Sequence, residues 1–198
     1  MLVSYNGRIS FCGWLTGMLE DKVLVRESKS GDVTALERIY EKYKNQLLAF
    51  ALYLMNDITA AEDAVHDVFV NLAQSVTRPC RIRNLRKYLM TSVANRVRNQ
   101  QRYRQRHQMV GIDSSDIPGR DLSRPERWLE LNEELELLNQ ALAQIPYEQR
   151  EVITLHMQGN MSLREIAKFQ NESSNTVAGR YRYGIKKLRS LLNGDFKK

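Results

Sequence analysis

The spacing of the apolar residues constrains this chain most, because they recur at three- and four-residue steps nearly from end to end. Leu36, Ile39, Tyr40, Tyr43, Leu47, Phe50, Ala51 and Leu54 form one such stripe, and a stripe of that period runs along one face of an α-helix. Alternation in twos, the mark of a half-buried strand, is nowhere convincing. The expected fold is therefore all-α, each helix burying its stripe against a neighbour. A length of 198 residues gives room for one medium helical domain or two small ones.

Caps and breakers divide the pattern. Asp32, after Ser30-Gly31, is positioned to cap the helix that carries the first stripe, and Met55-Asn56-Asp57 ends it. Thr59 with Glu62 has capping-box spacing for a second helix to about Ser75, whose inner face is Ala61, Ala64, Val65, Val68, Phe69 and Leu72. Pro79 interrupts the chain. A further helix from about Asn84 to Gln105 would bury Leu85, Tyr88, Leu89, Val93 and Val97. After His107 the composition shifts to Asp, Ser, Gly and Pro, which reads as a flexible, acid-tinged linker. Ser123 with Glu126 then forms another capping box, and Leu129, Leu135, Leu138, Leu142 and Ile145 line the next helix. Pro146 suits the first turn of a helix bearing Val152, Ile153 and Leu155, and Gly159-Asn160 closes it. The expected division is an extension over 1–20, a domain over 21–107, a linker over 108–124 and a second domain over 125–198.

The segment from Ser162 to Leu192 carries the most specific pattern. Ser162 and Glu165 make a capping box for a short helix, Leu163 to Phe169. Gln170-Asn171-Glu172 follows as a turn, and Ser173 or Ser174 caps a longer helix. Ala167 is small where two helices cross closely, and Asn171 tolerates the left-handed backbone of a tight turn. With Leu163, Ile166, Val177, Ile185 and Leu188 these form the packing set of a helix-turn-helix. The outer face of the second helix offers Asn175, Thr176, Ala178, Gly179, Arg180, Arg182 and Tyr183 to DNA. Short side chains near its N-terminus let base edges come close, and Arg and Lys suit phosphates. A helical hairpin with a solvated basic face is the plainer alternative.

Charge points the same way. Lys and Arg number 30 against 23 Asp and Glu, a net charge of +7 and a pI near 9.5 that favour an acidic partner. No Asp or Glu occurs between Asp67 and Asp113, where Arg78, Arg81, Arg83, Arg86, Lys87, Arg96, Arg98, Arg102, Arg104 and Arg106 are interleaved with Tyr88, Asn95, Asn99 and Tyr103. Cations interleaved with aromatic and amide groups suit an unpaired strand, whose phosphates attract and whose bases stack; a solvated basic face would carry similar charge.

Several function classes lack their residues. No Gly-rich phosphate loop, Ser-His-Asp set or Cys-His pair appears, so no catalytic residue, no enzyme and no cofactor is expected. Asp63, His66 and Asp67 share one helix surface, a weak candidate for a metal that we read instead as a protein-contact face. Cys12 and Cys80 are distant and read as reduced thiols. Phe11, Trp14, Leu15 and Leu19 faintly suggest a secretion signal, but Asn6, Arg8, Ser10 and Gly13 break the run and no cleavage site follows. A cytoplasmic chain without membrane insertion is the expectation, and Met18, just before the first well-patterned helix, is an alternative start.

These two blocks resemble the bacterial extracytoplasmic-function sigma factors. Gly31-Asp32, Ala35, Tyr40, Tyr43, the run Ala61-Glu62-Asp63-Ala64-Val65-His66-Asp67-Val68-Phe69-Val70, Tyr88-Leu89 and Ala94-Asn95-Arg96 look like sigma region 2. Ile145-Pro146, Gln149-Arg150-Glu151-Val152-Ile153, Glu165-Ile166-Ala167 and Thr176-Val177-Ala178-Gly179-Arg180 look like region 4. The resemblance implies two helical domains, with core RNA polymerase and promoter DNA as partners, and leaves an anti-sigma factor open as a third. It implies that Asp63, His66 and Asp67 meet the polymerase. It also implies that Asn84, Tyr88, Asn95, Arg98, Asn99 and Arg102 capture the −10 element, and that the second helix of the helix-turn-helix reads the −35 element. Tyr88 stands where many members have Trp, and Ala178 and Gly179 are small where many carry larger groups. Two other functions compete: a free-standing helix-turn-helix regulator, and a nucleic-acid enzyme built on Asp63 and Asp67.

Overall fold

A computed structural model describes residues 11–75, 82, 84–109 and 133–194 of the chain. Its described residues contain eight α-helices and no strand: α1 (Phe11–Lys29), α2 (Val33–Met55), α3 (Ile58–Ser75), α4 (Leu85–Met109), α5 (Glu133–Ala143), α6 (Tyr147–Met157), α7 (Leu163–Gln170) and α8 (Ser174–Leu192). The first two residues of the expected linker belong to α4, which runs to Met109; the rest of that linker, the capping box at Ser123 and Glu126, Leu129, Cys80 and the basic residues Arg78, Arg81 and Arg83 lie outside the described residues.

The long helix α2 is central to the N-terminal half, packing against α1, α3 and α4. Asp32 caps it, accepting from the Thr34 N–H at 2.9 Å. Most of the stripe faces inward, with Ile39, Leu47, Phe50 and Leu54 buried against Leu24, Ala61, Ala64, Leu72, Leu89, Val93 and Val97; Tyr40 departs from it, exposed at the edge of the stripe with its ring edge-on to Phe69. Burying a large aliphatic or aromatic side chain of this kind is worth about 1.5–3 kcal/mol. Asn56 ends α2 in the left-handed region (φ 52°), its N–H bonded to the Leu52 carbonyl.

Two expectations shift. The N-terminal cap of α3 is Asp57, whose carboxylate accepts from the Ala60 N–H at 3.0 Å. Thr59 lies already inside the helix, so the capping-box spacing at Thr59 and Glu62 marks its first turn and not its cap. The other shift is at the N-terminus, where α1 begins at Phe11, ahead of Met18, and runs unbroken through residue 20. It is tied down by polar contacts: the buried Tyr43 hydroxyl donates to Asp21 at 2.7 Å, and Lys42 donates to Asp21 and Glu20. Burial, reinforced by the Asp21 carboxylate, pushes the Tyr43 phenol well above its usual range.

The C-terminal half is built around α8, which packs on α5, α6 and α7. Pro146 sits at the N-cap of α6, where its missing N–H costs nothing. The two halves lie against each other: α2 also packs on α5 and α6. Tyr53 and Ala49 of α2 join Ala141, Leu142, Ile145, Ile153 and Leu188 in one apolar cluster, and Asn139 donates to Asn56 at 3.2 Å. No helix among the described residues is long and apolar enough to cross a membrane.

Candidate nucleic-acid interface

The helix-turn-helix is fixed by caps at each joint. Ser162 accepts from the Glu165 N–H while the Glu165 carboxylate accepts from the Ser162 N–H at 2.9 Å, a complete capping box. Asn171 takes the left-handed turn (φ 55°), and the Glu172 N–H closes it on the Ala167 carbonyl at 2.9 Å. Ser173 is then the cap of α8, accepting from the Thr176 N–H at 3.0 Å. Ile166, Ala167 and Val177 are buried between the helices, as their spacing predicts. One residue of this packing escaped the sequence reading. Gly184 is buried where α8 crosses α6, and a Cβ there would meet the Ile153 Cδ1 at 2.8 Å and the Gln149 Cβ at 3.1 Å.

The helix α8 therefore presents a defined outer face. Asn175, Thr176, Ala178, Arg182 and Tyr183 are exposed, and Gly179 is half-buried with open space over its Cα. The Arg182 guanidinium lies over the Tyr183 ring, 5.1 Å from its centroid. Arg180 is occupied differently: it donates to Glu172 at 3.0 Å and to Gln170 at 3.2 Å.

Residues of α4 are deployed less uniformly. Asn84 caps the helix, accepting from the Lys87 N–H at 2.9 Å, and Tyr88 is half-buried against the core. Asn95, Asn99 and Arg102 are exposed. Arg98 is turned to the C-terminal half, where its Nη2 donates to both carboxylate oxygens of Glu151 at 2.9 Å. Its guanidinium also stacks over the Phe169 ring, 4.6 Å from the centroid. Lys87 is paired with Glu165, and Arg86 donates to the Gln158 carbonyl at 3.0 Å. That pairing and the Ser162 N–H hold the Glu165 carboxyl down at about 2.

Asp63, His66 and Asp67 share one side of α3; Asp63 and His66 are exposed, and Asp67 is ion-paired with Arg96. Among the described residues no group of three or more His, Cys, Asp and Glu side chains is gathered closely enough to hold a metal. Glu151, Phe169 and Gln170 were not singled out as site residues, yet the first two hold Arg98 and Gln170 donates to Glu151 at 2.8 Å. Their partners lie up to 71 residues away along the chain, so no local spacing announces them.

Comparison with known proteins matches both halves. The model of sigma-70 region 2 matches residues 39–107, and that of sigma-70 region 4 matches residues 135–188. Together they cover more than half of the chain, which belongs to the sigma-70 family as a sigma factor of the extracytoplasmic-function type. Similar proteins include the RNA polymerase sigma factor NccH of Alcaligenes xylosoxydans xylosoxydans, 27% identical over 87% of this chain and 94% of the relative. The ECF RNA polymerase sigma factor SigX of Bacillus subtilis is 28% identical over 78% of this chain and 81% of its own. Among solved structures, CnrH in complex with the cytosolic domain of CnrY has a TM-score of 0.60 at 24% identity, covering 89% of this chain and 99% of that one. The sigma factor RpoE in complex with the anti-sigma factor NepR from Bartonella quintana has a TM-score of 0.59 at 23% identity, over 80% and 97%. These two likenesses bear on the fold.

Proposed function

We propose that this chain binds core RNA polymerase and directs it to promoters, acting as a cytoplasmic binding factor without catalysis of its own. The observation that carries the reading is the capped helix-turn-helix, with Asn175, Ala178, Arg182 and Tyr183 free on its outer face. In this reading α8 enters the major groove at the −35 element, Arg182 making the principal base contact and Asn175, Thr176 and Arg180 meeting phosphates. The exposed Asn95, Asn99 and Arg102 of α4, with Arg98 and Tyr88, engage the −10 strand as it parts; Asn84, spent on its cap, orients the start of that helix. The side of α3 bearing Asp63, His66 and Asp67 meets the polymerase. The N-terminal half, which we expect from sequence over 21–107 and which α1 and α4 extend at either end, would serve core and −10 contacts, and 125–198 the −35 contact. An anti-sigma factor is a natural regulator, since the related RpoE is seen bound to one.

The test is co-purification with core polymerase. Asp67→Ala removes an ion pair with Arg96 that is partly exposed on both sides, a contact worth at most about 1 kcal/mol to the fold. The variant is expected to keep its melting temperature and to lose core affinity about tenfold or more; unchanged affinity would remove this side of α3 from the interface.

A further inference from the structure

Two arginines on α8 are restrained by opposite means. Arg180 is held by acceptors: it donates to the Glu172 carboxylate at 3.0 Å and to the Gln170 side-chain carbonyl at 3.2 Å. Arg182 is held by a ring, its guanidinium carbon 5.1 Å from the Tyr183 centroid, and no acceptor among the described residues takes its N–H groups. An aromatic face attracts a cation without accepting a hydrogen bond, so every donor of Arg182 stays available. Core packing does not account for the ring, which is 59% exposed. One turn back the same face is low. Ala178 carries only a methyl, and a Cβ on Gly179 would meet nothing within 4 Å. The stacked pair is therefore the large group on this part of the helix, with open space beside it for a base edge.

A planar cation held against a ring keeps its N–H edge for a ligand. Guanine is the base whose major-groove edge offers two acceptors side by side, N7 and O6, matching two parallel N–H groups. An arginine swinging freely meets phosphates as readily as bases, which adds affinity without choice. We propose that Tyr183 is a positioning residue for Arg182, and that the stacked pair selects guanine at one position of the −35 element. The ring acts by reducing the freedom that the long side chain must give up on binding. The pair thus supplies discrimination that Ala178 and Gly179, with no polar side-chain atom, cannot. This inference rests on the −35 role proposed for α8 and Arg182.

The experiment is selection of −35 duplexes from a randomised library by the full chain in complex with core polymerase. In the parent one position should require guanine, and Arg182→Ala should release that position alone; any other base there would overturn the proposal. Tyr183→Leu keeps apolar bulk on the helix and removes the ring. It should lower the guanine preference at that position about two- to fivefold, with the melting temperature and the other positions unchanged. Tyr183→Phe, which keeps the ring, should retain the parent's preference. In an Arg182→Ala background Tyr183→Leu should change nothing further, because the ring acts only through the arginine. An undiminished preference in Tyr183→Leu, or a loss as large in Tyr183→Phe, would overturn the proposal. So would a loss that comes with a lower melting temperature, which makes the ring structural, or a further loss in the Arg182→Ala background, which makes it a direct reader. If the complex with core selects no duplex and the chain alone selects one, the sigma role fails, and the same variants judge the pair on that duplex. Selection by neither overturns both.

Discussion

The two helices that carry the basic charge of this molecule, α8 and α4, use it in opposite ways. On α8 the local framework is self-contained: Ser162, Asn171 and Ser173 set its start and entry angle, and Arg182 and Tyr183 are left facing outward. On α4, Arg86, Lys87 and Arg98 are engaged by the C-terminal half, while Asn95, Asn99 and Arg102 remain exposed. A basic helix is thus not by itself a free polyanion site. What surrounds each cation decides whether it is ready for a ligand or must first be released.

The sharpest way to break this comparison is to remove the framework of α8. Ile166 is fully buried at the crossing of α7 and α8, so Ile166→Ala should destabilise the C-terminal half by about 2–5 kcal/mol. Urea unfolding followed by circular dichroism measures it; a loss under 1 kcal/mol would mean that the caps alone hold the helix in place. Arg182→Ala comes next, because Arg182 is exposed and lies over the equally exposed Tyr183 ring, away from the core. The expected loss is about 1–3 kcal/mol of duplex affinity for the −35 element in the complex with core, with no change in thermal stability. An unaltered sequence preference in a binding-site selection would remove Arg182 from the readout.

The smallest effect concerns the Lys87–Glu165 pair. Hydrogen bonding to Lys87 depresses the Glu165 carboxyl to about 2 in the folded chain, below its ordinary value of 4.5. The pair's contribution is therefore complete above pH 4.5 and fades as the pH falls toward 2. Both side chains are over a third exposed, so screening limits the contribution to at most about 1 kcal/mol. Lys87→Met should lessen the loss of melting temperature across this window, followed by circular dichroism at constant ionic strength. A variant as acid-sensitive as its parent would show that other carboxylates govern the acid sensitivity.

The same contrast explains what could be read from sequence. Cap residues act on neighbours two to four positions away, so Asp32, Ser162, Asn171 and Ser173 were legible from spacing, and the stripe from Leu36 to Leu54 identified the face of α2 that is buried. At α3 two signals overlapped, and the carboxylate of Asp57 prevailed over the Thr59 pattern because it stands just outside the first turn. Further along α1 the inward positions include the polar Asp21 and Ser28 beside Leu24, which weakens any apolar period along that helix. The engagement of Arg98 by Glu151 lies beyond reading of this kind, since the two are 53 residues apart and meet only when the halves dock.

Run-off transcription with purified core polymerase on a promoter library, with and without the chain, tests the central claim most directly. The account predicts start sites that require the chain and share two upstream motifs at one fixed spacing. Their absence, with the chain binding a palindromic duplex tightly on its own, would contradict the sigma role and favour a free-standing regulator.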